Sequence, residues 1–211
     1  MPSLETRLRP LLKAVGYFGA DATRARTAHA LFRACALQAS HPNWAKRAGI
    51  DARAFRPQHS LIFAHVWLVH RAFETEGAST RRERRLLQEA VFDELWEDTQ
   101  ARIRASGVAE ISVNKHLTDV QKYSFQAALE YDDASSRDGA DRRDALGAAI
   151  WRHVHLGARD VEAERCLAVA DYLLERLDAG ILTGPLGEVD WGAAPLSNCL
   201  LYTSDAADEL C

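Results

Sequence analysis

Apolar residues recur at spacings of three and four along almost the whole of this chain, and that rhythm confines the backbone to helices. Leu4, Leu8, Leu11, Leu12 and Val15 share one side of a first segment, expected to end near Gly16. Asp21 is placed to cap a second, which turns Leu31, Phe32, Cys35 and Ala36 inward, and a loop through His41, Pro42 and Asn43 follows. Pro57 suits the first turn of a third helix, where its missing N–H is not needed. Leu61, Ile62, Phe63, Val66, Trp67, Leu68 and Val69 cover most sides of that helix, which makes it the central, buried one. No alternating run of β-branched residues is bounded by turns, so strands have almost no support.

Ser79 and Thr80 open a long charged helix with Leu87, Val91 and Leu95 on one stripe and Phe92, Trp96 and Ile103 beside it. Running from Thr80 to Ala105, it would span roughly 39 Å at 1.5 Å per residue, about the width of a domain. Ser112 is placed to cap a helix carrying Leu117, Val120, Ser124 and Ala128, which should fade in the polar stretch Asp132 to Asp141. Two more helices follow, one with Leu146, Ile150 and Val154, the other beginning at Asp160 with Cys166, Ala170, Leu173 and Leu177 and stopped by Gly180. The stretch through Pro185 and Trp191 to Leu196 reads as extended chain laid back on the body. The expected architecture is all-α: one compact domain of about seven helices over residues 1–198, closed by an extended C-terminal segment. Residues 199–211, CLLYTSDAADELC, lose the helical rhythm abruptly and resemble translated sequencing-adapter DNA, so they are expected to be non-native.

Composition narrows the function classes. Hydrophobic residues at 47% and charged residues at 27% suit a folded domain rather than a disordered one. The net charge is -4, and Asp205, Asp208 and Glu209 of the tail supply three of those charges, so no whole-molecule field favours nucleic acid. Four separated cysteines, with no C-x-x-C pair, fit a reducing compartment and argue against zinc. The densest apolar run, Leu61 to Val69, is far shorter than the roughly 20 residues of a bilayer span.

Known catalytic patterns are missing from the sequence. None of the eight histidines has a glutamate three residues before it, as a di-iron bundle requires, and neither H-E-x-x-H nor G-x-G-x-x-G occurs. His153 and His155 are two apart, on nearly opposite sides of a helix, and suit structural or surface roles. His65, on the apolar third helix, reads first as a hydrogen-bonded core histidine, and Trp67 as packing. Asp132 and Asp133 evoke the paired aspartates that hold magnesium in helical isoprenoid- or lipid-handling enzymes. That is the alternative function, although it needs a second such cluster; a helical DNA-binding regulator would need a basic recognition helix. On the long helix, Asp93, Glu94, Glu97 and Asp98 lie between Arg81, Arg82, Arg84 and Arg85 upstream and Arg102 and Arg104 downstream. Such a strip is most often a solvated face; as a functional feature it would orient a protein partner.

From Leu87 to Phe125 the sequence LQEAVFDELWEDTQARIRASGVAEISVNKHLTDVQKYSF resembles the ubiquinol-cytochrome c chaperone family. The pattern is Phe92, Asp93, Leu95 and Trp96, then Arg102, Gly107 and Val108, then Val113, Asn114, Lys115, Leu117 and Gln121. Val15 to Cys35, Phe63 to Phe73, Gly147 to Val154 and Val189 to Gly192 add matching pieces in order. The resemblance implies an all-helical assembly chaperone for mitochondrial complex III, not an enzyme and without a cofactor or metal. Its expected partners are nascent cytochrome b and a small helper subunit, near the mitochondrial ribosome and peripheral to the matrix side of the inner membrane, with no direct nucleic-acid recognition. It implies a partner-binding surface around His65, Trp67, Asp93, Trp96, Asn114, Lys115 and Tyr123. It also implies an Arg-rich presequence; MPSLETRLRPLLK is basic and amphipathic but short and broken by Glu5, so the leader is expected to be missing or truncated.

Overall fold

A computed structural model describes residues 19–51, 53–75, 81–183 and 188–197. Its helices are α1 (Ala20–Ala39), α2 (Asn43–Ala48), α3 (Phe55–Thr75), α4 (Arg81–Ala105), α5 (Glu110–Ser135), α6 (Gly139–His153) and α7 (Ala163–Ala179). Strands β1 (Leu182–Thr183) and β2 (Glu188–Val189) pair antiparallel, Leu182 opposite Val189 and Thr183 opposite Glu188. The all-α expectation therefore holds, with seven helices among the described residues. The expected first helix over Leu4 to Val15 and the adapter-like tail lie outside them.

Helix α3 organises the rest because it packs against α1, α4, α5, α7 and β1. Every residue from Leu61 to Val69 is buried, His65 included, as the apolar residues around its circumference predict. Pro57 sits in its first turn as expected. At the junction of α6 and α7, Gly147 lies so close to Leu167 that a β-carbon there would come within 2.8 Å of its Cδ2.

Several boundaries differ from the sequence reading. Asp21 is not a cap: Gly19 holds that position, and Asp21 accepts a hydrogen bond from Arg24 within the first turn. The expected loop ends at Pro42, because Asn43 already begins α2, which buries Trp44 and stops at Gly49 with φ +67°. Ser112 is likewise no cap; α5 starts at Glu110, which Arg104 clamps at 2.8 Å. The polar stretch from Asp132 is not all loop, since α5 continues to Ser135. Tyr131 and Ala134 are buried three residues apart, so packing extends the helix through sequence that polarity alone would end. Helix α7 begins at Ala163 rather than Asp160.

The C-terminal segment does lie back on the body. Ile181 and Leu196 are buried, Asn43 Nδ2 donates to the Pro195 carbonyl at 2.8 Å, and Arg47 Nη1 donates to that of Leu196 at 2.8 Å. Part of the segment pairs as β1 and β2. With only two residues in each strand, the periodicity was too short to show.

Candidate functional site

The seven residues expected on one surface fall in three places. His65 is fully enclosed: its Nδ1 donates to the Leu61 carbonyl at 2.7 Å, leaving Nε2 to accept from the Tyr172 hydroxyl at 3.2 Å. Tyr172 in turn accepts from Gln38 Nε2 at 2.9 Å, and Trp44 and Trp191 each form a T-shaped pair with the imidazole. Burial pushes the His65 pKa down to about 4, so it stays neutral and joins α1, α3 and α7 as a satisfied interior group. Trp67 is also interior, 3% exposed, and donates from Nε1 to Asp132 Oδ1 at 2.8 Å. These two residues do not line an accessible surface.

That bond also bears on the magnesium alternative. Asp132 is engaged by Trp67, and Asp133 pairs with Arg137 at 2.7 Å, both near the end of α5. Among the described residues no group of three or more His, Cys, Asp or Glu side chains is arranged to hold a metal. None of their helices is long and apolar enough to cross a membrane.

Tyr123 occupies a second place, on the side of α5 that meets α3 and α6. Its hydroxyl donates to the His153 carbonyl, which also accepts from Ser60 Oγ at 2.7 Å. A carbonyl in the last turn of α6 lacks an intrahelical partner, and these two hydroxyls supply one. Tyr123 also borders a cleft of about 250 Å³ with Phe55, Arg56, Ile103, His116 and Asp119.

Asp93, Trp96, Asn114 and Lys115 do come together, on the face where α4 and α5 lie side by side. The valley between them has an aromatic floor. Trp96 and Phe92, four residues apart on α4, stack with centroids 6.3 Å apart, and Phe125 of α5 meets them at 5.8 and 6.4 Å. Phe125 is 50% exposed, and Phe92 and Trp96 are half-buried. Such clustered rings add about 0.5–1.5 kcal/mol per pair beyond their area. Gln100 Nε2 reaches Asn114 Oδ1 at 3.4 Å and crosses the groove at one end. At 100° per residue, Asp93 and Glu97 stand on the solvent side of Trp96, and Lys115 and Lys122 on the solvent side of Phe125. All four are exposed.

His59 supports this floor from beneath, and the sequence reading did not single it out. It is 2% exposed and lies face to face with Trp96 at 6.2 Å. Ser124 Oγ spends its proton on the Val120 carbonyl, so His59 Nε2 donates to Ser124 Oγ at 2.9 Å. Its Nδ1 is left to accept from Arg102 Nη2 at 3.3 Å. Burial first, then the Arg102 charge, lowers the His59 pKa to about 3, so a neutral imidazole fastens α3, α4 and α5 under the groove. The spacing Phe55, His59, Phe63 was visible in the sequence, but it resembles any core stripe. Lys122, Phe92 and Phe125 were likewise missing from the expected surface; the four-residue step from Phe92 to Trp96 is the signal that could have found the floor.

The described residues thus define a helical protein that carries partly exposed aromatic rings in the groove between two long helices. The chain belongs to the ubiquinol-cytochrome C chaperone family, whose model matches residues 53–179, from just before α3 to the end of α7. It is 26% identical over 147 residues to the ubiquinol-cytochrome c reductase complex assembly factor 1 of Drosophila melanogaster, covering 69% of this chain. That match covers 55% of the fly protein, so the chain spans about half the length of that relative. The crystal structure of the Cbp3 homolog from Brucella abortus shares the fold, with a TM-score of 0.61 over 81% of this chain and 95% of that one at 15% identity.

Proposed function

We propose that this protein acts as an assembly chaperone for mitochondrial ubiquinol-cytochrome c reductase, complex III. In this reading it receives newly made cytochrome b together with a small helper subunit, near the mitochondrial ribosome and peripheral to the matrix side of the inner membrane. It transforms no substrate. The observation that carries the reading is that the family match contains the whole α4/α5 groove, where three partly exposed aromatic rings stand between charges that have no partner among the described residues. An unfinished membrane protein exposes surface that must be held out of water, and a groove with an apolar floor and polar walls suits a helix of such a partner.

The test is to disrupt the gene in its source organism, separate respiratory complexes on native gels and pulse-label mitochondrial translation. The expected result is loss of assembled complex III with shortened life of new cytochrome b, restored by the intact gene. Normal complex III with a normal cytochrome b lifetime would reject the proposal.

A further inference from the structure

Charge on the α4/α5 face is distributed unevenly. Four of the six acidic residues on α4 have a partner within the chain: Glu83 lies 4.0 Å from Arg24, Glu89 3.0 Å from Arg85, Glu94 2.7 Å from His29 and Asp98 2.7 Å from Arg102. The other two, Asp93 and Glu97, make no hydrogen bond or ion pair among the described residues, and they form the α4 wall of the groove. On α5 the two lysines, Lys115 and Lys122, are equally without a partner among the described residues and form the opposite wall. Three of the arginines on α4 are committed elsewhere: Arg85 to Glu89, Arg102 to Asp98 and Arg104 to Glu110. The groove is therefore acidic on one wall, basic on the other and aromatic between.

This pattern restricts what can lie there. A wholly apolar transmembrane segment would cover Phe92, Trp96 and Phe125 but would strip water from charges without replacing it, and burying an uncompensated charge is strongly unfavourable. A helix with an apolar stripe and charged edges covers the same floor and also pairs both walls. We infer that the part of the partner seated between α4 and α5 is an amphipathic helix with one basic edge, facing Asp93 and Glu97, and one acidic edge, facing Lys115 and Lys122. This rests on reading the groove as a partner site, and it specifies which kind of segment docks: a water-exposed helix, not a membrane-spanning one. Opposed walls also fix orientation, because reversing the helix end for end would require its edges to change sides.

The experiment uses the full chain and designed, fluorescently labelled 20-residue helices that share one leucine stripe and differ only at their edges. One carries arginine along one edge and glutamate along the other, a second glutamate on both, a third arginine on both, and a fourth is leucine throughout and presented in detergent. Exchanging the two edges would be uninformative, since a helix can enter in either direction; charging both edges alike is the discriminating change. The two-signed helix is expected to bind about ten-fold tighter than either single-signed one. D93K/E97K should shift the preference to the all-glutamate helix, and K115E/K122E to the all-arginine helix. A shift of preference between probes cannot come from a variant that merely fails to fold. Equal binding of the three charged helices, preferences unmoved by the wall substitutions, or stronger binding of the all-leucine segment would overturn the inference. Those outcomes concern the groove alone; the assembly role stands or falls separately on complex III in the disrupted strain.

Discussion

The interior around His65 and the face around Trp96 are built from similar residue types and treat them in opposite ways. Inside, hydrogen bonds of 2.7 to 3.2 Å link Leu61, His65, Tyr172 and Gln38, and of the rings packed around His65 the buried Trp191 Nε1 alone lacks a partner among the described residues. At the α4/α5 face three rings remain partly open, and four charges beside them have no partner among the described residues. Low dielectric explains the first case, because an unsatisfied polar group in the interior costs about 1–3 kcal/mol. Exposed charges carry no such penalty, so leaving them unpaired costs the isolated chain little and keeps them available to a partner. Interior polarity here joins the helices, and the proposed partner site draws on the polarity of the surface.

That contrast can be broken at its strongest point first. Phe63→Ala, deep in α3, should lower unfolding stability by about 3–5 kcal/mol, read from denaturant midpoints. Next, Tyr172→Phe removes the hydroxyl that donates to His65 and accepts from Gln38; a loss of about 1–3 kcal/mol is expected, and a neutral result would show that the network does not contribute to the fold.

A pH titration sharpens the same distinction. His59 and His65 have folded-state pKa values pushed down to about 3 and about 4 from 6.5, so the unfolded chain binds protons more readily. Their contribution to stability is complete above about pH 6.5 and is lost progressively as pH falls toward 4, by up to about 1.4 kcal/mol per pH unit for each histidine. Stability measured at pH 7, 6, 5 and 4 should decline over that window; a flat profile would contradict the neutral, buried assignment. The smallest effect belongs to the groove walls. D93K/E97K should change stability by no more than about 0.5 kcal/mol while altering partner binding, and a large loss of stability would show that these charges serve the fold after all.

What the sequence made legible follows the same line. The buried circumference of α3 could be read because seven large apolar side chains within nine residues leave no polar side to face water. The long α4 was equally readable, since Val91, Leu95 and Ile103 keep helical spacing through a highly charged stretch. Termini were harder. Asp21 and Ser112 carry capping chemistry, but whether a residue caps depends on where the preceding chain turns, which is set by packing elsewhere. The true end of α5 depended on Tyr131, Ala134 and the Trp67 bond to Asp132, contacts that cross 65 positions of sequence. The site was legible as a set of residue types and not as a place. Asp93, Trp96, Asn114 and Lys115 share a face because α4 and α5 run side by side, whereas helical phase turns Tyr123 to the far side of α5. His65 and Trp67 went inward with α3, and His59 gave no signal because its partners Ser124 and Arg102 lie on other helices.

The most direct test of the assembly role is to pulse-label mitochondrial translation in the source organism, isolate this protein under native conditions and identify the labelled products that accompany it. Newly made cytochrome b should be recovered with the wild-type chain and strongly reduced with Phe125→Asp plus Lys115→Glu, a variant whose circular dichroism should remain that of the parent. Absence of labelled cytochrome b from the wild-type material would contradict the account.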